Sequence, residues 1–247
     1  MILEKIFLPG ESPDGFKPYF ETYLQDDGIT HGAVIVLPGG GYAGRADYEG
    51  EPVANRFTTF GFHAFTLQYR VKPAVYPAPM EDVFHTIEFL RSHAVEWRIK
   101  PDKIALLGFS AGGHLACSAG ILWKKPQERP DATILCYPVI SGVTKPNLGS
   151  FSNLLNGDTA RYPEFSWELR VQPDTPPSFI WHTAADKSVP VLNSLRYAEV
   201  LQDKGIPFEL HVFPRGEHGL ALGRNTAIPE VQVWPELCRV WLCNSGW

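Results

Sequence analysis

A serine set between small residues is the first feature of this sequence that could do chemistry. The stretch Gly108-Phe109-Ser110-Ala111-Gly112 has the spacing G-x-S-x-G, and an apolar run leads into it. If a strand turns directly into a helix there, the serine hydroxyl points outward as a nucleophile and the Ala111 N–H faces a developing oxyanion. Glycines at both ends leave room for the strand and helix to approach closely. A motif this short is equally compatible with a serine that caps a helix.

Two later loops supply the base and the acid that a serine hydroxyl needs. Serine is a weak nucleophile unless a base removes its proton, and a carboxylate must orient that base. Asp186 is the only acid in residues 183–190, which follow an expected strand, and His218 lies between two turn glycines after the next expected strand. We therefore expect Ser110, Asp186 and His218 to form a catalytic set, in the chain order serine, acid, histidine.

Other residues compete for these roles, and Asp186 itself has a second interpretation. Asp186 could cap the helix that is expected to begin near Val189. Glu217 is a second acid in the histidine loop, but it adjoins His218 and its side chain would point elsewhere. Four further histidines fall within or at the end of expected helices and strands, where structural or surface roles are typical: His85, His114, His182 and His211.

A run of three glycines, Gly39-Gly40-Gly41, follows the first expected central strand. Without side chains, such a loop can fold close to the nucleophile and present N–H groups to an oxyanion. We expect N–H groups of this loop, together with that of Ala111, to form an oxyanion hole. Glycine runs after strands also bind phosphate, but this one has neither the Lys-Ser/Thr of a P-loop nor the spacing G-x-G-x-x-G. Nucleotide binding is therefore not favoured.

The elements that must position these residues alternate between short apolar runs and amphipathic segments. This alternation is typical of an α/β fold with a mostly parallel central sheet and helices on both faces, a three-layer sandwich. The expected strands are Ala33–Leu37, His63–Tyr69, Ile104–Gly108, Thr133–Tyr137, Ser178–His182 and Phe208–Phe213, with antiparallel edge strands near Ile2–Leu8 and Tyr19–Tyr23. The expected helices are Glu49–Phe60, Pro79–Trp97, Ala111–Trp123, Val189–Lys204 and Glu230–Leu242, with Gly205 at a helix C-cap.

One connection, residues 143–177, differs from the rest of the chain. It is rich in Pro, Gly, Asn and Ser and carries the aromatic residues Phe151, Tyr162, Phe165 and Trp167. A connection this long inside a compact domain is typical of a functional lid or a poorly ordered loop, and the aromatic residues favour a lid or pocket wall. We therefore expect a single domain over residues 1–247 with a lid-like insertion at 143–177. Tyr42 and Trp167 are our candidate substrate-binding residues.

Composition and charge argue against several classes of function. Of 247 residues 44% are hydrophobic, and the net charge of −5 includes no run of like charges typical of a nucleic-acid-binding arm. No apolar run reaches the roughly 20 residues of a membrane span, and the amino-terminal residues lack the pattern of a signal peptide. We expect no nucleic-acid or membrane partner, a cytoplasmic location, and no metal or other cofactor. The four cysteines lack C-x-x-C spacing and are expected to be free thiols: Cys117, Cys136, Cys238 and Cys243.

Taken together, these residues resemble the α/β-hydrolase superfamily, and within it the esterase/lipase branch that includes bacterial acetyl-xylan and feruloyl esterase-like proteins. The resemblance covers nearly the whole chain: Pro38 to Tyr42, Tyr69 to Val71 with Tyr76 to Ala78 and Asp82, Gly108 to Ala116, Asp186 with Val189-Pro190, and His218-Gly219. It implies that Ser110 is the nucleophile, that His218 is the general base and then acid, and that Asp186 orients it. It also implies that Gly40, Gly41 and Ala111 supply the N–H groups of the oxyanion hole. Relatives often have histidine before the triple glycine, where this chain has Pro38.

The function that the resemblance implies is hydrolysis of short-chain acyl esters by a serine carboxylesterase, through an acyl-enzyme and without a cofactor. Its expected partner is a small-molecule ester. We favour an acylated oligosaccharide of the xylo-oligosaccharide type, because aromatic residues between Phe151 and Trp167 could stack on sugar rings. Alternatives are an arylformamidase-like or other amide hydrolase, a peptidase like the prolyl oligopeptidase catalytic domain, and a catalytically inactive binding module. Nothing in the sequence indicates the oligomeric state.

Overall fold

One eight-stranded sheet forms the centre of the protein, whose computed structural model describes residues 4–223 and 228–247. The strands in chain order are β1 Lys5–Phe7, β2 Tyr19–Tyr23, β3 His31–Leu37, β4 His63–Gln68, β5 Ile99–Phe109, β6 Ala132–Cys136, β7 Ser178–Thr183 and β8 Phe208–Phe213. Their order across the sheet is β1-β2-β4-β3-β5-β6-β7-β8. The first two strands are antiparallel additions, and the other six pair in parallel.

Six α-helices of the described residues cover the two faces of this sheet. They are α1 Glu51–Thr58, α2 Ala78–Ser92, α3 Ala111–Leu122, α4 Leu148–Leu154, α5 Leu192–Asp203 and α6 Trp234–Asn244. The apolar sides of α2, α3 and α5 pack on one face, and those of α1 and α6 pack on the other. Residues 33–37 of β3 alternate between the two cores and are all buried. This confirms the expected α/β sandwich with a mostly parallel sheet.

The element boundaries agree with the expected ones in most places. β8 has the expected bounds, and Gly205 follows α5 with φ +69°, as a C-terminal glycine should. β5 begins at Ile99, earlier than expected, because its first residue pairs with His31 across an irregular part of the ladder. The start of the first expected edge strand, Ile2 and Leu3, lies outside the described residues.

The direction of the parallel strands brings four loops to one edge of the sheet. Carboxyl ends of parallel strands lie on the same side, so the loops after β3, β5, β7 and β8 are neighbours there. Those loops carry, in order, the triple glycine, Ser110, Asp186 and His218. The topology therefore assembles the candidate site from segments that are far apart in the chain.

The long connection at 143–177 contains regular structure of its own. It includes α4 and two 3₁₀ helices, Thr159–Phe165 and Trp167–Leu169. Its four aromatic side chains are buried among the helices of the α2–α3 face. The segment is thus packed against the core, and its action as a lid stays a prediction.

A buried ion pair links the end of β4 to α2. Arg70 follows β4, and its Nε donates to Asp82 Oδ1 at 2.9 Å while its backbone N–H donates to Oδ2 at 2.7 Å. Asp82 is fully buried, whereas Glu81, a second partner of Arg70 at 3.1 Å, has a half-exposed side chain. Burial raises the pKa of Asp82, although contacts with Arg70 oppose that rise. The pair closes the loop between the two elements.

Two findings complete the description of the fold. Among the described residues, no helix is both long and apolar enough to cross a lipid bilayer. The four cysteines are free thiols, as expected, and only Cys243 is exposed.

Candidate active site

Ser110 occupies a strained turn between β5 and α3. Its φ of +51° and ψ of −114° are rare for a residue with a side chain. A Cβ added to Gly108 would lie 2.1 Å from the Gly112 carbonyl oxygen, and one added to Gly112 would lie 2.1 Å from the Leu37 carbonyl oxygen. The expected steric role of both glycines is therefore visible. The Ser110 N–H donates to the Cys136 carbonyl at 3.0 Å, which holds the turn against β6.

A chain of hydrogen bonds joins the three residues that the sequence singled out. Ser110 Oγ lies 2.7 Å from His218 Nε2, and His218 Nδ1 lies 2.6 Å from Asp186 Oδ2. An Nδ1–H that donates to the carboxylate leaves Nε2 free to accept from the serine hydroxyl. Ser110 and Asp186 are buried, and the His218 side chain is about one fifth exposed. This arrangement can remove the serine proton without a large movement of any side chain.

Both carboxylate oxygens of Asp186 are occupied. Oδ1 accepts from the N–H groups of Ser188 and Val189, each at 2.9 Å, in the turn that precedes α5. That helix begins at Leu192 with Val191 as its N-cap, so Asp186 stabilises the turn and does not cap the helix. His182 Nε2 also lies 3.4 Å from Oδ2. Burial by itself would raise the pKa of Asp186, but His182, His218 and the Val189 N–H outweigh it and hold the pKa well below its usual value. The side chain is therefore a carboxylate at neutral pH.

Three backbone N–H groups near Ser110 are available to an oxyanion. Within residues 4–223 and 228–247, the N–H groups of Gly40, Gly41 and Ala111 donate to no protein acceptor. The Gly40 backbone has φ +134°, and a Cβ there would lie 2.3 Å from the Gly44 carbonyl oxygen, so glycine is required. The role of these groups as an oxyanion hole stays a prediction.

The cavity beside Ser110 is small, with a volume of about 240 Å³. Its lining residues are Gly40, Gly41, Ala46, Tyr48, Glu49, Ser110, Asn147, Ser150, His218 and Gly219. Asn147 and Ser150 come from the 143–177 connection, whose polar residues form this part of the wall. Tyr48, Glu49, Asn147 and Ser150 belong to none of the motifs that point to a site in the sequence. Of these four, only Tyr48 could have been noticed in the sequence, as an aromatic residue within a polar loop.

Tyr42 and Trp167 are not exposed to the cavity, which corrects the expectation that they contact the substrate. Both side chains are buried, and neither lines the space beside Ser110. The Tyr42 hydroxyl donates to His114 Nδ1 at 2.9 Å, His114 Nε2–H donates to the Phe165 carbonyl at 2.9 Å, and the Trp167 ring packs on the imidazole. Burial lowers the pKa of His114 to about 4, so the ring is neutral. These aromatic residues anchor the glycine loop to the long connection.

The remaining candidate histidines do not reach Ser110. His182 is fully buried and donates to the Val189 carbonyl at 2.8 Å, beside Asp186. His211 contacts Glu209 on β8, and His85 lies on α2. In the part of the chain that the structure describes, no group of three or more His, Cys, Asp or Glu side chains is arranged to hold a metal ion.

Comparison with known proteins identifies relatives of this chain. Residues 22–137 match the family model BD-FAE, and residues 144–234 match that of the prolyl oligopeptidase family. Endo-1,4-β-xylanase B of Butyrivibrio fibrisolvens is 36% identical over 231 residues, which are 87% of this chain and 36% of that protein. The acetylxylan esterase of Xylanibacter ruminicola is 32% identical over 200 residues, 77% of this chain and 41% of that protein. The chain thus spans about two fifths of the length of these curated relatives.

A solved structure matches over nearly the full length of both chains. The crystal structure of an acetyl ester-xyloside bifunctional hydrolase from Caldicellulosiruptor lactoaceticus is 41% identical, with a TM-score of 0.90. The match covers 96% of this chain and 92% of that one. With this similarity and the fold described above, the chain belongs to the α/β-hydrolase family, in the group of esterases that resemble acetylxylan esterases.

Proposed function

We propose that the protein is a serine carboxylesterase that removes short acyl groups, and acetyl groups in particular, from a carbohydrate of the xylo-oligosaccharide type. One observation carries the proposal. The hydrogen-bonded chain Ser110–His218–Asp186 opens into a small cavity beside three N–H groups that have no protein acceptor. Nucleophile, base, orienting acid and oxyanion donors are the parts that acyl transfer to serine requires.

In the first half-reaction, His218 Nε2 takes the proton of Ser110 Oγ as the oxygen attacks the ester carbonyl carbon. The carbonyl oxygen becomes an oxyanion and accepts hydrogen bonds from the free N–H groups, while Asp186 stabilises the imidazolium. The carbon–oxygen bond to the alcohol then breaks, and His218 gives its proton to the departing oxygen. The acyl group remains on Ser110.

In the second half-reaction, water takes the place of the alcohol. His218 removes a proton from the water as its oxygen attacks the acyl carbon, and the same N–H groups bind the new oxyanion. The bond to Ser110 Oγ breaks, and Oγ recovers the proton from His218. The products are a carboxylic acid and the free enzyme.

The size of the cavity supports a short acyl group. Its volume of about 240 Å³ lies below the range of roughly 300–1,000 Å³ typical of sites for drug-sized ligands. Glycines of the triple-glycine loop and the small side chain of Ser150 leave space for a few carbon atoms next to Ser110. We expect acetyl esters to be hydrolysed faster than octanoyl esters.

The surroundings of Tyr48 support a sugar as the alcohol. Its ring is 55% exposed, and its hydroxyl lies 2.9 Å from where a Cβ on Gly219 would stand, next to the histidine that protonates the alcohol. Exposed aromatic rings suit the apolar faces of sugars. Beyond Tyr48 is a second cavity of about 550 Å³, whose polar lining can accept hydrogen bonds from sugar hydroxyls: Glu21, Asp47, Glu51, Thr66 and Gln68. The names of the relatives, acetylxylan esterase and acetyl ester-xyloside hydrolase, agree with this class of substrate.

The test is a substrate panel assayed with the wild type and with Ser110→Ala. It contains 4-nitrophenyl esters from acetate to octanoate, acetylated xylo-oligosaccharide, methyl ferulate, N-formylkynurenine and a prolyl 4-nitroanilide. We expect the wild type to prefer acetyl esters, and Ser110→Ala to lose about 10⁴-fold or more of kcat because no other group replaces the nucleophile. Activity retained by Ser110→Ala would exclude this mechanism. Preference for the formamide or the anilide would favour an amidase or a peptidase, and no turnover at all would favour a binding module.

A further inference from the structure

A second buried carboxylate, Glu49, lines the cavity beside Ser110 and His218 but takes no part in the hydrogen-bonded chain between them. Glu49 is 2% exposed and precedes α1. Its Oε2 accepts from the Gly39 N–H at 2.7 Å, and its Oε1 accepts from the Tyr137 hydroxyl at 2.5 Å. A buried carboxylate is costly unless its oxygens are paired, and here both are.

Tyr137 extends this contact to the histidine side of the site. Its side chain is buried, its hydroxyl oxygen accepts from the Ala221 N–H at 2.9 Å, and its ring stands edge-on to the His218 imidazole at 5.0 Å between centroids. The hydrogen bonds from Gly39 to Glu49, Tyr137 and Ala221 therefore run from the glycine loop to the segment after His218. They tie together the two loops whose spacing decides where an oxyanion and an imidazolium lie.

The chemistry of these contacts requires an acid at position 49. The Tyr137 hydroxyl has one proton, and since its oxygen accepts from Ala221 that proton goes to Glu49. The Gly39 N–H is a second donor, so residue 49 must accept on both of its terminal atoms. A carboxylate does so, whereas the amide of a glutamine accepts on one atom and donates on the other. Glu49 also holds Gly39 so that its neighbours Gly40 and Gly41 keep their N–H groups free.

We propose that Glu49 and Tyr137 are positioning residues of this esterase site: they fix the glycine loop relative to Ser110 and His218, and the charge of Glu49 stabilises the His218 imidazolium across the cavity. The inference rests on the esterase function proposed above. Glu49 acts in addition to Asp186, which contacts His218 directly. The site thus has one carboxylate that orients the base and a second that holds the oxyanion donors.

The groups around the two charges are few. His218 faces Ser110, Asp186, Tyr137 and Glu49, with His182 behind Asp186, and it shares a further cavity with the charged residues Lys187 and Glu217. Glu49 faces the phenols Tyr48, Tyr69 and Tyr137 and the thiol of Cys136, all neutral near pH 7. Glu49 is the buried carboxylate in this set besides Asp186; burial raises the pKa of Glu49, and the hydrogen bonds from Tyr137 and Gly39 and the nearby His218 oppose that rise. Glu217 is exposed, so solvent screens its charge. Removal of Glu49 therefore has a specific electrostatic signature.

The experiment measures kcat, KM and the pH dependence of kcat/KM for an acetyl ester with Glu49→Gln. We expect kcat to fall about 10- to 100-fold, because a displaced oxyanion donor stabilises the transition state less, and complete loss of such a donor lowers kcat by about 100-fold or more. KM should change less than threefold. We also expect the acid limb of kcat/KM to move to lower pH, because an imidazolium without the nearby anion loses its proton more readily. Glu49→Asp retains the charge and should keep the acid limb near its wild-type position even though kcat falls.

Two further variants separate positioning from folding. Glu168 is a buried glutamate outside the cavity that accepts from the Ser141 hydroxyl, so Glu168→Gln is a matched control that should leave the acid limb in place. Tyr137→Phe removes the hydroxyl that joins Glu49 to Ala221 but leaves the Glu49 carboxylate, and it should lower kcat about tenfold. The double variant Glu49→Gln/Tyr137→Phe should have a kcat no lower than that of Glu49→Gln alone, because both changes break the same contact. If Glu49→Gln does not fold, Tyr137→Phe decides alone.

The outcomes distinguish this inference from the proposed function. Wild-type activity that depends on Ser110, together with a Glu49→Gln variant within twofold of wild type and an unmoved acid limb, would overturn the positioning role only. Full activity of Tyr137→Phe would do the same, as would an acid-limb shift of equal size in Glu168→Gln. Absence of esterase activity in the wild type would instead overturn the proposed function.

Discussion

Asp186 shows how much one side chain can do at the scale of a residue. One of its oxygens caps the turn through Ser188 and Val189, and the other accepts from His218. The N–H groups that donate to Asp186 stabilise its charge and also fix the orientation of its carboxylate. The lowered pKa of Asp186 and the orientation of the His218 imidazole therefore have the same cause. Losing the charge should therefore affect both turnover and acid stability.

We predict that Asp186→Asn lowers kcat about 10⁴-fold, because the amide can donate to His218 Nδ1 and impose the tautomer that carries hydrogen on Nε2. The variant should also lose stability in a pH-dependent way. Because the pKa of Asp186 is lowered in the folded state, its carboxylate stabilises the folded protein at pH values above the pKa of the unfolded state, which is near 4. This stabilisation decreases as the pH falls below that value. The difference in Tm between wild type and variant should therefore narrow between pH 5 and pH 3.

Calorimetry and acetyl ester kinetics measure these effects. The control is Asp203→Asn, an exposed position at the end of α5 that should leave kcat unchanged and cost little stability. An Asp186→Asn variant with wild-type kcat would contradict the orienting role.

At this scale the sequence predicts the residues whose roles follow from local motifs and chain order. Ser110, Asp186 and His218 stand together because each follows an identifiable strand. Glu49 could not be recognised, since its significance depends on Tyr137, 88 positions away in the chain. Tyr42, a candidate for substrate contact, has a positive φ, and its side chain lies in the core against His114.

At the scale of elements, the spacing of apolar residues predicts which side chains are buried better than it predicts where a helix ends. The expected helix 79–97 ends at Ser92, yet Trp97 still stacks on Phe65 of β4 at 6.0 Å between centroids. The periodic residues after Ser92 reach the core from turns. β3 was predictable because a strand covered on both faces must be apolar throughout.

The contact between β4 and α2 leads to a prediction about stability. Asp82→Ala should destabilise the protein by about 3–5 kcal/mol, because it leaves the Arg70 guanidinium partly buried without its main partner. Glu81→Ala removes the half-exposed partner of the same arginine and should cost less than about 1 kcal/mol. Urea unfolding of both variants measures the two free energies. Equal losses would mean that burial of the pair does not govern its contribution.

At the scale of the whole molecule, Ser110, Asp186 and His218 lie at the carboxyl edge of the sheet, and two cavities lie among the loops at that edge. The small cavity beside Ser110 and the larger one beyond it share Tyr48 as a common wall. Under the proposed function, we expect the acyl group and the alcohol of an ester to occupy different cavities. Changes at their shared wall should affect esters of large alcohols more than esters of small ones.

We predict that Tyr48→Ala lowers kcat/KM for acetylated xylo-oligosaccharide about tenfold more than for methyl acetate, since only the sugar ester can lose contact with the ring. Tyr48→Phe keeps the ring and should retain most of the preference. Leu169→Ala, which removes an equally exposed side chain outside both cavities, is the control. Equal losses on the two substrates would place the sugar elsewhere.

The crowding around the serine turn also limits how this enzyme could be altered. With backbone oxygens 2.1 Å from any methyl group added at positions 108 or 112, the neighbourhood of Ser110 offers directed evolution almost no viable substitutions. Tyr48, which precedes α1, and Asn147 and Ser150, at the start of α4, line the same cavity and have side chains to exchange. A mutant library confined to those three positions should yield changes in substrate range, while one built on the turn should yield inactive protein.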